Sequence, residues 1–94
     1  MYLRVTRARV DPARIDEVTS KVRQDLTAAI TGLSGYRSYM GGVDRTSGQA
    51  IAVSTWDTEE HARWSTDDLD VVSRLEALGV QVDPPEIFEG TTSA

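Results

Sequence analysis

The sequence predicts an α+β fold: one antiparallel sheet carrying its helices on a single face. Three observations predict it. Extended segments with two-residue alternation open the chain, fill its middle and close it. Apolar residues spaced by three and four mark a long helix between the first two of them. The segment Gln49 to Trp56 carries small or apolar side chains on both of its sides.

Ninety-four residues make one domain, expected over residues 2–89 with a loose tail at 90–94. A 39% hydrophobic content suffices for a core and is too low for a membrane protein. The opening Met1-Tyr2-Leu3-Arg4-Val5-Thr6 starts directly as a strand with no charged-then-apolar leader, and the chain has no cysteine; both point to a cytoplasmic protein. A net charge of −5 argues against nucleic acid, because phosphate binding needs a basic face.

Tyr2 to Val10 reads as the first strand, with Leu3, Val5, Arg7 and Arg9 on one face and Tyr2, Arg4, Thr6, Ala8 and Val10 on the other. Asp11 caps the first helix, with Pro12 at its first position. Ile15, Val18, Val22, Leu26, Ile30 and Leu33 form its apolar stripe, Glu17 and Lys21 an i,i+4 ion pair on its polar side, and Gly32 and Gly35 its end. Tyr36 to Val43 is the second strand, loosened by Gly41-Gly42 and placing Tyr36 and Tyr39 on opposite faces; Asp44 to Gly48 is a hairpin turn. After the third strand, Gln49 to Trp56, Asp57 or Thr58 caps a short helix ending near Trp64. Ser65-Thr66-Asp67-Asp68 restarts a helix whose Leu69, Val72 and Leu75 face inward and which Gly79 ends. Val80 to Val82 and Glu86 to Glu89 form a last strand interrupted at Pro84-Pro85.

Strand, helix, strand, strand, helix, strand is the split βαβ order of a ferredoxin-like βαββαβ sandwich, with four strands and helices on one face. The third strand then carries a second message. Ile51, Val53 and Thr55 point away from the helices, and a wet face would carry charges there. Burying a Val or Ile is worth roughly 1.5–3 kcal/mol, so a second copy of the same face is the expected cover, giving a homodimer. On the helix side Ala50, Ala52 and Ser54 fill little space. That leaves room either for a pocket bounded by Trp56 or for larger helix residues.

The element order, the segment Ala52-Val53-Ser54-Thr55-Trp56-Asp57-Thr58-Glu59-Glu60, the Leu33 to Tyr36 turn and the Asp44 to Gly48 hairpin resemble the antibiotic biosynthesis monooxygenase (ABM) family of dimeric α+β barrels. The resemblance covers about residues 2–89. It implies two back-to-back sheets with a pocket in each subunit between sheet and helices. Some members oxidise polycyclic phenols or quinols with oxygen and no cofactor; others cleave haem. The haem-cleaving pattern of first-strand asparagine, strand-end tryptophan and later histidine is met here only by Trp56: the chain has no asparagine, and its one histidine, His61, comes too early. Quinol-oxidising members often place a histidine where this chain has Ser65.

The implied activity is oxygenation of an electron-rich aromatic without a cofactor, and the alternative is a non-catalytic dimer binding a small apolar ligand or a protein. Trp56, His61 and Tyr39 are the candidate catalytic residues: an indole donor at the pocket wall, the one base suited to neutral pH, and a phenol donor. Arg4, Tyr36, Arg37 and Trp64 are the candidate substrate contacts, the arginines as phenolate stabilisers. Each has an ordinary structural alternative: Trp56 as a strand-end anchor, His61 as a solvated residue, Trp64 as helix packing and the arginines in surface ion pairs. No metal is expected; Asp67, Asp68 and Asp70 lack calcium-loop spacing and read as helix caps.

Overall fold

β1 (Tyr2–Arg9) runs through the middle of the sheet and every later pairing is built on it. In the computed structural model, which describes residues 1–65 and 69–94, β1 pairs antiparallel with β3 (Gln49–Trp56) in a register joining Tyr2 to Trp56 and Arg9 to Gln49. β2 (Tyr36–Val43) pairs with the other side of β3. On the far edge, β4 (Gln81–Val82) pairs with the end of β1 and β5 (Glu86–Glu89) with its beginning. The single interrupted strand expected at the end of the chain is thus two short strands laid along the same edge, and the sheet has five strands. The break falls at Pro84-Pro85, which have no N–H to donate, while Asp83 N–H reaches the Arg7 carbonyl at 2.9 Å.

The helices lie on one face. Asp11 accepts from Ala13 N–H (2.9 Å) and Pro12–Arg14 forms a tight 3₁₀ turn leading into α1 (Ile15–Lys21). The chain then makes a π turn over Val22–Leu26 before α2 (Thr27–Thr31). The expected helix was uniform, but its apolar spacing explains the turn. Val18, Val22, Leu26 and Ile30 repeat every four residues, so each step of a pure α-helix would swing the stripe about 40° off the sheet. One wider turn takes up that drift. Thr27 N–H goes back five residues to the Val22 carbonyl, and the Thr27 hydroxyl takes the Arg23 carbonyl (2.5 Å).

The proposed Glu17–Lys21 pair does not form. Arg14 meets Glu17 at 3.9 Å, and Lys21 turns instead to the half-buried Asp25 at 3.9 Å, where Arg74 of α4 (Asp70–Ala77) also converges. Of the two candidate caps of α3 (Glu59–Ala62), Thr58 is the one used, accepting from His61 N–H at 3.1 Å. The cap expected to restart the last helix falls mostly on residues 66–68, outside the described residues; Val72 and Leu75 are buried as expected.

Tyr36 and Tyr39 do not lie on opposite faces. The β2–β3 register slips by one residue between Tyr36 and Ser38, so Tyr36 opposes Trp56 and Tyr39 opposes Ser54, both on the helix side. The bulge at Arg37 cancels the alternation that would have separated them.

The core is in two parts. Val10, Ile15, Val18, Leu75 and Val80 form one cluster; Ile30, Trp56 and Ala62 form the other, beneath Tyr36, Tyr39 and Trp64.

Candidate functional site

Between those clusters the sheet offers almost no bulk. Ala8, Ala50 and Ala52 form the floor, and Gly41 stands opposite Ala52 across the β2–β3 ladder. Val18, Val22, Leu26 and Ile30 span the gap from above without filling it, leaving a cavity of about 490 Å³. Gly41 and Gly42 of edge strand β2, Arg23 and Arg45 stand among its lining residues. A side chain at Gly41 would come within 3.3 Å of the Tyr39 hydroxyl. Small residues on three strands therefore make the pocket, and long helix residues roof it.

Arg4, Tyr39, Ser54 and Trp64 form one polar group of the lining, with Tyr39 opposite Ser54 and Ser54 opposite Arg4 across the ladders. Arg4 is 1% exposed. Its Nη1 donates to the carbonyls of Ala62 (3.0 Å) and Trp64 (2.5 Å), bracing the segment after α3 onto β1. The guanidinium stacks on the Trp64 ring with its carbon 3.8 Å from the ring centroid. No carboxylate pairs with it among the described residues. Burial lowers its pKa to about 10, which leaves it cationic at neutral pH. Burial also pushes the Tyr39 phenol up, so it is a neutral donor there. Arg4 Nε and Trp64 Nε1 are buried with no hydrogen-bond partner among the described residues.

The other candidates are elsewhere. Trp56 is wholly buried and does not reach the cavity lining. Its indole N–H donates to Ser54 Oγ at 2.8 Å, and its ring sits between Tyr36 (edge-on, centroids 5.8 Å apart) and Trp64 (6.2 Å). Tyr36 belongs to that stack and not to the lining. His61 lies against Gly35, outside the lining, its Nδ1 buried and unpartnered among the described residues. Arg37 is at the surface, paired with Asp57 at 3.4 Å. The structure thus brings together Arg4, Tyr39 and Trp64 at the cavity and leaves Trp56, Tyr36, His61 and Arg37 outside it.

Sequence reasoning missed Arg23 and Arg45. Nothing in their local pattern distinguishes them from solvated cations; the helix and the hairpin meet only in the folded chain. Among the described residues no cluster of three or more His, Asp or Glu is placed to hold a metal, and no helix is long and apolar enough to cross a membrane.

A ferredoxin-like sheet with a cavity between it and its helices defines an ABM-type α+β fold, and solved structures bear this out. No family model and no curated protein matches the chain. A Deinococcus radiodurans protein described as a candidate antibiotic biosynthesis monooxygenase superposes with a TM-score of 0.77 at 12% identity, covering 100% of this chain and 96% of that one. SnoaB, a cofactor-independent oxygenase from Streptomyces nogalater, gives 0.69 at 15% identity, over 98% and 94%. The ActVA-Orf6 monooxygenase of Streptomyces coelicolor, solved with nanaomycin D, gives 0.72 at 16% identity, over 99% and 91%. The chain therefore has the ABM-like fold.

Proposed function

We propose that this protein is a homodimeric, cofactor-independent monooxygenase that oxidises an electron-rich aromatic, a phenol or quinol, in the cavity between sheet and helices. The observation that carries the reading is the cavity itself: large enough for a polycyclic ring system, lined mostly by apolar side chains, and bearing Arg4, Tyr39 and Trp64 among its polar groups. Two of the superposing structures are oxygenases by name, which supports the same reading.

In this reading the substrate supplies the electrons. A phenolate passes one to oxygen, the two radicals combine at a ring carbon, and loss of water leaves the quinone, so one oxygen atom enters the product and the other leaves as water. Protein groups have three tasks: to exclude bulk water, to hold the ring flat against the Ala50–Ala52 floor, and to keep the substrate oxygen anionic beside a cation. Arg4 serves the last, with Tyr39 as a neutral hydrogen-bond donor. Oxygen uptake by the purified protein with a panel of naphthols, anthrols and quinols, without added flavin, haem or metal, tests this. Turnover with product containing one atom from labelled dioxygen is the expected result; no turnover across the panel defeats the proposal.

The second reading, a non-catalytic binding dimer, is favoured by one observation. The titratable residues of the lining are Arg4, Arg23, Arg45 and Tyr39, and none of these is a base near neutrality. It predicts ligand-dependent thermal stabilisation without product.

The outer face of the sheet supports the homodimer in this reading. Leu3, Val5, Ile51, Val53, Met40 and Phe88 share it, with Met40 76% and Phe88 49% exposed. Its polar residues include the Ser38–Thr55 hydroxyl pair (2.6 Å), the Arg7–Glu86 ion pair (3.3 Å) and, at one end, Arg9 with Gln49 and Gln81. A second copy of the same face is the cover that suits it.

A further inference from the structure

We propose that Gly41 is a positioning residue: its missing side chain lets the Tyr39 ring lie along β2, so that the phenol hydroxyl stands at the level of Ala52 on the cavity floor and donates there to an oxygen of a bound aromatic ring. This deepens the reading above by naming where a ligand oxygen is held, and it rests on the cavity being the ligand site.

Four features carry it. First, Tyr39 and Gly41 are two apart on β2 and share its helix side, but they belong to different rows of the sheet. Tyr39 is in one row with Ser54 and Arg4; Gly41 is in the next, with Ala52 and Thr6. A Cβ at position 41 would lie 3.3 Å from the Tyr39 hydroxyl oxygen and 3.7 Å from its Cε1, so the ring runs out of its own row and into the next. Second, the backbone does not call for glycine there. Among the described residues positive φ is confined to Gly35, Gly48 and Gly79, and the Ile51 carbonyl would stand at an ordinary 3.7 Å from a Cβ at 41. Third, glycine inside a strand is less stable than alanine, and its use there marks a close approach by another group. At Gly41 the one approach tighter than ordinary contact, among the described residues, is the Tyr39 hydroxyl. Fourth, Tyr39 lines the cavity and its hydroxyl has no hydrogen-bond partner among the described residues. Unlike the unpartnered atoms sealed in the interior, that hydroxyl keeps accessible surface. Burial holds the phenol neutral, so it has a proton to donate.

The alternative is that the Tyr39 ring only covers a bare stretch of strand. Anaerobic calorimetry on the wild type, Gly41→Ala, Tyr39→Phe and the double variant separates the two. The probes are 1-naphthol and 2-naphthol, each against the methylnaphthalene of the same shape, which has no oxygen. The quantity read is the ratio of the two affinities; room lost to the added methyl falls on both partners and cancels. For at least one isomer Tyr39→Phe should lower that ratio by about three- to tenfold, the range of one neutral hydrogen bond. Gly41→Ala should lower it by at least about twofold, because the hydroxyl must yield by a few tenths of an ångström and turn off its line. In the Tyr39→Phe background Gly41→Ala should leave the ratio unchanged, since only the ring carbon at 3.7 Å remains beside the new methyl. A ratio that Tyr39→Phe leaves unmoved for both isomers, or that Gly41→Ala shifts equally in both backgrounds or in neither, overturns the placement. Urea denaturation of the four free proteins reads the contact without a ligand. Gly41→Ala should raise the midpoint more in the Tyr39→Phe background than in the wild type; equal shifts overturn the placement too. No binding by any probe removes the ligand site and the placement with it, whereas binding with an unmoved ratio removes the placement alone. With oxygen excluded, turnover is decided separately by the uptake assay.

Discussion

Trp56 gives its indole N–H to the Ser54 hydroxyl two residues earlier on the same strand, at 2.8 Å, with its ring fully buried. Side chains two apart on a strand share a face, so the strand's own pleat brings donor and acceptor together. The bond removes the indole donor from any ligand chemistry. Trp56→Phe is therefore expected to cost about 1–3 kcal/mol in chemical denaturation, from lost packing and the orphaned hydroxyl. Aromatic ligand affinity should stay within about twofold. A tenfold loss of affinity at unchanged stability would place Trp56 in the binding site after all.

Ala52 is the centre of the cavity floor, with Gly41 opposite it. Ala52→Leu fills empty space without burying a polar atom, so it should raise stability by about 0.5–2 kcal/mol and abolish binding of naphthol-sized ligands. Thermal melting with and without ligand reads both. Stabilisation with binding intact would move the ligand site elsewhere.

Tyr39 titrates above its ordinary value because burial disfavours the phenolate. Its folded pKa exceeds its unfolded one, so the stability it contributes is complete below the unfolded value and is lost as pH rises through the folded value. The difference in unfolding free energy between wild type and Tyr39→Phe should thus stay flat from pH 7 to about 9 and turn against the wild type above about 10. Urea denaturation across that range checks it. For turnover, a Tyr39 that is neutral throughout the working range predicts that the alkaline rise in kcat/KM follows each substrate's own acidity. Two phenols of different pKa should give two different midpoints.

Gly35 adopts φ +79°, and a side chain there would run into the His61 ring. Gly35→Ala should cost at least about 2 kcal/mol, combining backbone strain with the clash. Adding His61→Ala should recover the steric part and leave about 1 kcal/mol of strain. A double-mutant cycle measures the coupling. No recovery would mean that the His61 ring is not the obstacle.

Ile51 stands on the outer face of β3, opposite Arg7 of β1 and diagonal to Met40 of β2, away from both core clusters. Ile51→Glu should turn a dimer into monomers in sedimentation while leaving the far-ultraviolet spectrum unchanged. A wild type that sediments as a monomer at high concentration would remove the homodimer.

Much of this molecule is decided locally, and that part is legible in its residues. The two-residue alternation of β1 and β3 settles which side chains face the helices, so the Ala50–Ala52–Ser54 floor and the separation of Arg4 from Arg7 and Arg9 follow from the strand pleat alone. Asp11-Pro12, Thr58 and Gly48 act on their own backbones and mark their turns wherever they occur. The tertiary structure decided what depends on residues far apart in the chain. A bulge at Arg37, set by pairing with β3, put Tyr36 and Tyr39 on one face. A strand and a segment some sixty residues downstream met to make Arg4 a buried cation stacked on Trp64, where the sequence left it open between a substrate contact and a surface ion pair. Trp56, the most conspicuous residue of its strand, was satisfied from within its own strand and left the cavity to others. Periodicity reports the direction in which a side chain leaves the backbone; burial, pairing and charge depend on what waits there, and only the packed chain supplies it.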